Sequence, residues 1–132
     1  MKIIILDDSA TVRMILESHL EDLGIGDEEI FSFEDGFAAL KFIAENGADI
    51  VFSDINMPKM SGYEFAKELF INYPFLRNST FAISGDEKRE SFLRMKNMGV
   101  HRFIKKPIKA EHFHHFIQPE ILKRRAIEAS LN

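Results

Sequence analysis

The stretch Ile50-Val51-Phe52-Ser53-Asp54-Ile55-Asn56-Met57-Pro58 constrains this chain most. Bulky and β-branched residues in so short a run read as a strand buried on both faces. Pro58 lacks the N–H that a central strand needs, so the strand must end before it. Asp54 therefore stands at the carboxyl end of a central strand, where a loop begins. Open parallel α/β sheets place their ligand sites at that edge.

The rest of the chain repeats the strand-then-helix rhythm. Lys2–Leu6 is a strand, apolar on successive residues, and it stops at Asp7-Asp8. Ser9 is placed to cap a helix carrying the stripe Val12, Ile15, Leu16, His19, Leu20 and Leu23, which Gly24 ends. Ile30–Phe33 is a second strand, and Phe37–Glu45 a second helix. The third strand is Asp49–Ser53, with Asp54 at its tip, and a helix follows from Ser61-Gly62 to Tyr73, where Pro74 stops it. Ser79–Ser84, a helix over Glu87–Met98, the strand Val100–Ile104 and a last helix from near Lys109 complete the pattern. Five strands alternating with five helices predict an α/β fold, a doubly wound parallel sheet with helices on both faces. Residues 1–132 read as one domain, with no linker or repeat. Gln118-Pro119 interrupts the last helix, so a kink or a separate helical extension is expected from about residue 119.

Composition excludes several classes. A net charge of -4 implies no general affinity for nucleic acid or membranes. The absence of cysteine rules out disulfides and thiolate metal sites and fits a reducing, cytoplasmic setting. The first apolar run, Ile3–Leu6, is too short for a signal peptide. With 13 Phe and no Trp, the core is expected to be rich in phenylalanine.

Four strand ends carry distinctive polar residues: Asp7 and Asp8, Asp54, Ser84, and Lys106. Parallel strands bring them to one sheet edge, with neighbouring strands about 4.8 Å apart. Taken singly, each has an ordinary reading as a turn former, cap or solvated side chain. Together they are complementary. Three carboxylates repel unless a cation relieves them, and carboxylates with a backbone carbonyl and water suit Mg²⁺. An ammonium and a hydroxyl beside that cation make a cradle for a phosphoryl group, with Asp54 as the nucleophile.

These residues resemble the receiver domain of two-component response regulators, and most closely its stand-alone, chemotaxis-regulator-like form. The resemblance rests on Asp7-Asp8, Ser9, Asp54-Ile55-Asn56-Met57-Pro58, Gly62, Ser84-Gly85 and Phe103-Ile104-Lys105-Lys106-Pro107, and spans Met1 to about Phe116. It implies a flavodoxin-like sheet of strand order 2-1-3-4-5. It further implies that Asp54 accepts a phosphoryl group from the phosphohistidine of a sensor histidine kinase or phosphotransfer protein. Mg²⁺ is then held by Asp8 and Asp54, by the backbone carbonyl of Asn56, and by Asp7 through water. Ser84 and Lys106 contact phosphoryl oxygens, Lys106-Pro107 is cis, and Phe103 is an aromatic switch that turns inward with Ser84. Asn56 and Asp86 occupy positions that tune phosphate lifetime. The output is a protein-binding face formed by the fourth helix, fifth strand and fifth helix, on a monomer or weak dimer. Phe103 stands where the family more often has Tyr, so switching here must rest on ring packing without a hydroxyl.

Other readings compete. A phosphatase of the haloacid dehalogenase type needs a second aspartate two residues after the first, and Ser9 stands there. An FMN carrier would meet repulsion from Asp7-Asp8 where a phosphate loop belongs. A receiver used as a constitutive interaction module remains an alternative to the switch. His112, His114 and His115 lack a carboxylate at ligand spacing and read as a surface helix. His19 reads as a half-buried packing residue, and Lys123-Arg124-Arg125 as a solvated face.

Overall fold

The computed structural model describes residues 1–57, 59–85 and 89–131. Pro58, Asp86 and the expected helix start at Glu87 lie outside the described residues. The elements run β1 (Ile3–Leu6), α1 (Ala10–Asp22), β2 (Ile30–Phe33), α2 (Gly36–Asn46), β3 (Ile50–Asp54), α3 (Gly62–Asn72), β4 (Thr80–Ser84), α4 (Arg89–Asn97), β5 (Arg102–Lys105) and α5 (Ala110–Leu131). All the strand pairs are parallel, and the order is β2-β1-β3-β4-β5. This is the flavodoxin-like sheet that the resemblance implies.

Alternation along the strands divides the core into two layers. Ile4, Leu6, Val51 and Ala82 face one way, onto Ala39 and Ile43 of α2, Phe65, Ala66, Leu69 and Phe70 of α3, and Met95 of α4. Ile3, Ile5, Ile50, Phe52, Phe81 and Ile83 face the other way, onto Leu16 and Leu20 of α1 and Phe113, Ile117 and Ile121 of α5. The central strands read as continuously apolar because both faces are covered. Phenylalanine does much of the filling: Phe52 lies 5.3 Å from Phe81 and 5.6 Å from Phe113, ring centre to ring centre.

Helix starts follow their caps. Ser9 Oγ accepts from the Val12 N–H at 3.3 Å, Asp35 Oδ1 from Ala38 N–H at 2.9 Å, and Ser61 Oγ from Glu64 N–H at 3.1 Å. Four strands begin later than expected: β1 at Ile3 and β3 at Ile50, each by one residue, and β4 and β5. Ser79 closes a 3₁₀ turn over Pro74–Ser79, so β4 begins at Thr80. Val100 donates its N–H to the Met95 carbonyl, with Gly99 at φ 99°, so it finishes α4 and β5 begins only at Arg102.

The last helix is the larger correction. A separate helix from Pro119 does not form; α5 runs unbroken for 22 residues with Pro119 inside it. The missing N–H falls on the exposed side, opposite the solvent-facing His115, while Phe113, Ile117 and Ile121 hold the helix to the sheet before and after it. The tail is also tied down by charge. Arg102 Nη1 donates to buried Glu120 at 3.0 Å. Arg125 pairs with both oxygens of Glu29 at 2.6 and 2.8 Å, and Arg124 Nη2 donates to Ser79 Oγ at 2.5 Å. The solvated-face reading of Lys123-Arg124-Arg125 therefore holds only for exposed Lys123.

Gly62 fixes how closely α3 approaches the tip of β3. Its N–H donates to the Ile55 carbonyl at 2.8 Å. A Cβ there would fall on the Asp54 carbonyl oxygen and 2.7 Å from Ile55 Cα, both backbone atoms that cannot swing aside. Gly62→Ala is expected to destabilise the protein by on the order of 3 kcal/mol, the upper end for overpacking. Urea denaturation reads this directly, and an unchanged midpoint would contradict it.

Candidate functional site

Register decides which side chains meet. Leu6 of β1 pairs with Ser53 of β3, so the next residues, Asp7 and Asp54, emerge side by side. One carboxylate oxygen from each of Asp7, Asp8 and Asp54 lies within 4.8 Å of the others. Asp7 and Asp54 are buried and Asp8 is exposed, so the cluster opens to solvent through Asp8. A cleft of about 310 Å³ beside it is lined by Asp8, Glu34, Asp35, Met57, Lys59 and Met60.

Lys106, just past β5, reaches across β4 to this cluster. Its Nζ lies 3.3 Å from Asp7 Oδ2 and 3.5 Å from Asp54 Oδ1. The backbone aims it: Lys106 N–H donates to the Ser84 carbonyl at 2.7 Å, and the following bond, Lys106-Pro107, is cis as expected. Asp7 is held by the Ser9 N–H, which donates to Oδ1 at 2.9 Å, and Arg13 Nη1 donates to the Asp7 carbonyl at 2.7 Å. The Arg13 contact has no sequence signature, because it depends on where α1 turns over the strand tip.

The charges are out of balance. Burial and then the neighbouring Asp7 charge push the Asp54 carboxyl up to about 7, against the pull of Lys106. Burial also raises Asp7, with the Ser9 N–H and Lys106 opposing it. Burial works against the Lys106 ammonium, but Asp54 and Asp7 outweigh it and raise its pKa. One cation therefore serves two buried carboxylates. Asp7 Oδ2 is buried and, although ion-paired with Lys106, has no hydrogen-bond partner in proper geometry. An orphaned carboxylate oxygen beside two others is the donor set of a hard divalent cation, and the residues present fit Mg²⁺.

Ser84 ends β4, half-buried, next to the strand that carries Asp54. Phe103 pairs with Ala82 across β4 and β5, and Ser84 is two residues beyond Ala82, so Ser84 and Phe103 share a sheet face. The Phe103 ring is half-buried and packs 4.4 Å from Phe92 of α4. Asn56 follows the strand tip; its N–H lies 3.4 Å from Asp54 Oδ1, and its side chain is exposed. Asp86 lies outside the described residues. The structure thus gathers Asp7, Asp8, Asp54 and Lys106 at the edge, with Ser84 on the adjoining tip of β4 and Asn56 in the loop after β3. Phe103 lies further along the sheet.

Comparison with known proteins gives one consistent result. Residues 3–118 match the response regulator receiver domain family. The chemotaxis protein CheY-3 of Vibrio cholerae is 33% identical over 110 residues, 83% of each chain. The chemotaxis protein CheY of Pseudomonas aeruginosa is 28% identical over 111 residues, covering 84% of this chain and 88% of its own. Among solved structures, Vibrio cholerae CheY4 superposes with a TM-score of 0.78 at 28% identity, covering 89% of this chain and 96% of its own. The receiver domain of NtrX from Brucella abortus gives 0.76 at 26% identity, over 96% and 98% of the two chains.

Proposed function

Because this chain belongs to the response regulator receiver domain family, we propose that it is a phosphorylation switch in which Asp54 takes a phosphoryl group from a phosphohistidine. The observation that carries this reading is Asp54 itself: a buried carboxylate at a strand tip, flanked by two more carboxylates and faced by Lys106. An Asp54 carboxylate oxygen attacks phosphorus in line, the P–N bond breaks, and its electron pair returns to the imidazole, which takes up a proton. A Mg²⁺ held by Asp7, Asp8, Asp54 and the Asn56 carbonyl would supply charge neutralisation for the transferred group. Lys106 ion-pairs with one phosphoryl oxygen as it leaves Asp54, and the Ser84 hydroxyl donates to another. Asn56, and by the family resemblance Asp86, hold positions that tune how long the acyl phosphate survives. The chain turns over no separate substrate.

The outward route runs along the face Ser84 shares with Phe103. Drawing Ser84 toward the phosphoryl group opens space that the Phe103 ring fills, shifting its packing on Phe92. Phe103 also borders a groove of about 380 Å³ between β5 and α5, lined by Pro107, His112, His115 and Phe116 among others. That groove supports an output surface for a protein partner on α4, β5 and α5. We read the chain as one receiver domain whose last helix extends past the matched region, acting as a monomer or weak dimer in the cytoplasm. Among the described residues no helix is long and apolar enough to cross a membrane.

Acetyl phosphate with Mg²⁺ tests the chemistry without a kinase. Intact-mass spectrometry is expected to show one added phosphoryl group, and none when EDTA removes the metal. Labelling that persists in EDTA would overturn the metal assignment, and no labelling under either condition would overturn the switch.

A further inference from the structure

We propose that His19, Asp22 and His114 form a second cation site, for a divalent transition ion of the zinc class, bridging α1 to α5. One ligand atom from each residue lies within 4.8 Å of the others. His19 and Asp22 are one turn apart on α1, and His114 comes from the facing helix, 95 positions along from His19. Along the sequence, His112, His114 and His115 lack a carboxylate at ligand spacing. The carboxylate is on α1, and the histidine that meets it is His114.

The hydrogen bonding makes this more than proximity. His19 Nε2 lies 3.1 Å from the Ile108 carbonyl oxygen, which can only accept. That nitrogen therefore carries a proton, and in the neutral imidazole the lone pair is on Nδ1. Nδ1 is buried and has no partner. His114 Nε2 is likewise buried without a hydrogen bond, 3.9 Å from Asp22 Oδ2. A histidine that donates one ring N–H to a backbone carbonyl and offers the other nitrogen is the arrangement of metal-binding imidazoles. Two neutral imidazoles and a carboxylate suit Zn²⁺ and its neighbours, whereas Mg²⁺ prefers oxygen alone, so this site and the aspartate cluster select different ions. At bond lengths of about 2.0–2.1 Å, tetrahedral ligand atoms sit roughly 3.4 Å apart, so the three groups need to close by on the order of 1 Å. Asp22 is 59% exposed and free to make that movement, and it leaves the fourth position to water.

The ion would clamp α5 onto α1 next to the loop that carries Lys106, since His19 already grips Ile108 two residues beyond it. The tag-free chain of residues 1–132 is titrated with Zn²⁺ by calorimetry in excess Mg²⁺, which keeps the aspartate cluster occupied. One equivalent of Zn²⁺ is expected to bind. His114→Gln and Asp22→Asn should each weaken it by at least about tenfold, while His112→Gln leaves it unchanged. Because Asp22 is exposed, the Asp22→Asn protein will fold, and unchanged Zn²⁺ affinity in it would overturn the site. Loss of binding in His112→Gln alone would assign the ion to the outer face of α5 and also overturn it. Tetrahedral Co²⁺ absorption in the wild type, absent from His114→Gln, gives an independent readout.

Discussion

Asp54→Asn is expected to cut phosphoryl uptake from acetyl phosphate by at least about 10³-fold, the order of loss when a nucleophile is removed. The amide matches the carboxylate in shape but has neither its charge nor its nucleophilic oxygen. The neighbours are poor substitutes. Asp7 is fully buried, and its Oδ1 accepts from the Ser9 N–H. Asp8 is exposed, outside the buried pocket in which Asp54 lies. Wild-type rates of labelling in the variant would remove Asp54 from the chemistry.

The same substitution is expected to stabilise the protein. Burial and the Asp7 charge push the Asp54 carboxyl up to about 7, against an ordinary value of 3.8. Between those values the folded chain holds a proton that the unfolded chain has released. Stability therefore falls as pH rises from about 4 to about 7. The difference, 7 less 3.8, is about 3 units, and at 1.36 kcal/mol each the full cost above pH 7 is up to about 4 kcal/mol. Asparagine never ionises and escapes it. In buffer without divalent cations, urea denaturation should find Asp54→Asn more stable than wild type at pH 8 by up to about that amount, and the advantage should fade toward pH 4. Equal stabilities at pH 8 would contradict the charge imbalance. The cost is intelligible if the three carboxylates are placed for the phosphoryl chemistry proposed above, since folding alone would not place them there.

Much of this was legible in the sequence for a physical reason. Central strands covered on both faces, such as Ile3–Leu6 and Ile50–Phe52, announce themselves as unbroken apolar runs. Parallel pairing then brings their carboxyl ends to one edge whatever the details of the helices. Asp7, Asp54 and Lys106 meet because of that rule, so their proximity is readable from the sequence alone. Contacts between elements far apart in sequence carried no such signal. The passage of α5 through Pro119 depends on sheet packing at Phe113, Ile117 and Ile121 outweighing one lost backbone bond. The pairing of Arg125 with Glu29 and the meeting of His19, Asp22 and His114 depend on how α5 crosses its neighbours. Local pattern gives a helix its face but not the register at which another helix lies across it. The end of α4 failed differently: Val100 looks like a strand residue, yet Gly99 turns the backbone so that Val100 closes the helix.

Chemical trapping shows directly whether the phosphoryl group resides on Asp54. Protein treated with acetyl phosphate and Mg²⁺ is reduced with borohydride, which converts an aspartyl phosphate to homoserine with release of phosphate, and is then digested and sequenced by mass spectrometry. Homoserine is expected at position 54, with unmodified aspartate at positions 7 and 8. Homoserine at position 7 or 8, or a phosphoryl group surviving reduction on a hydroxyl or imidazole side chain, would contradict it.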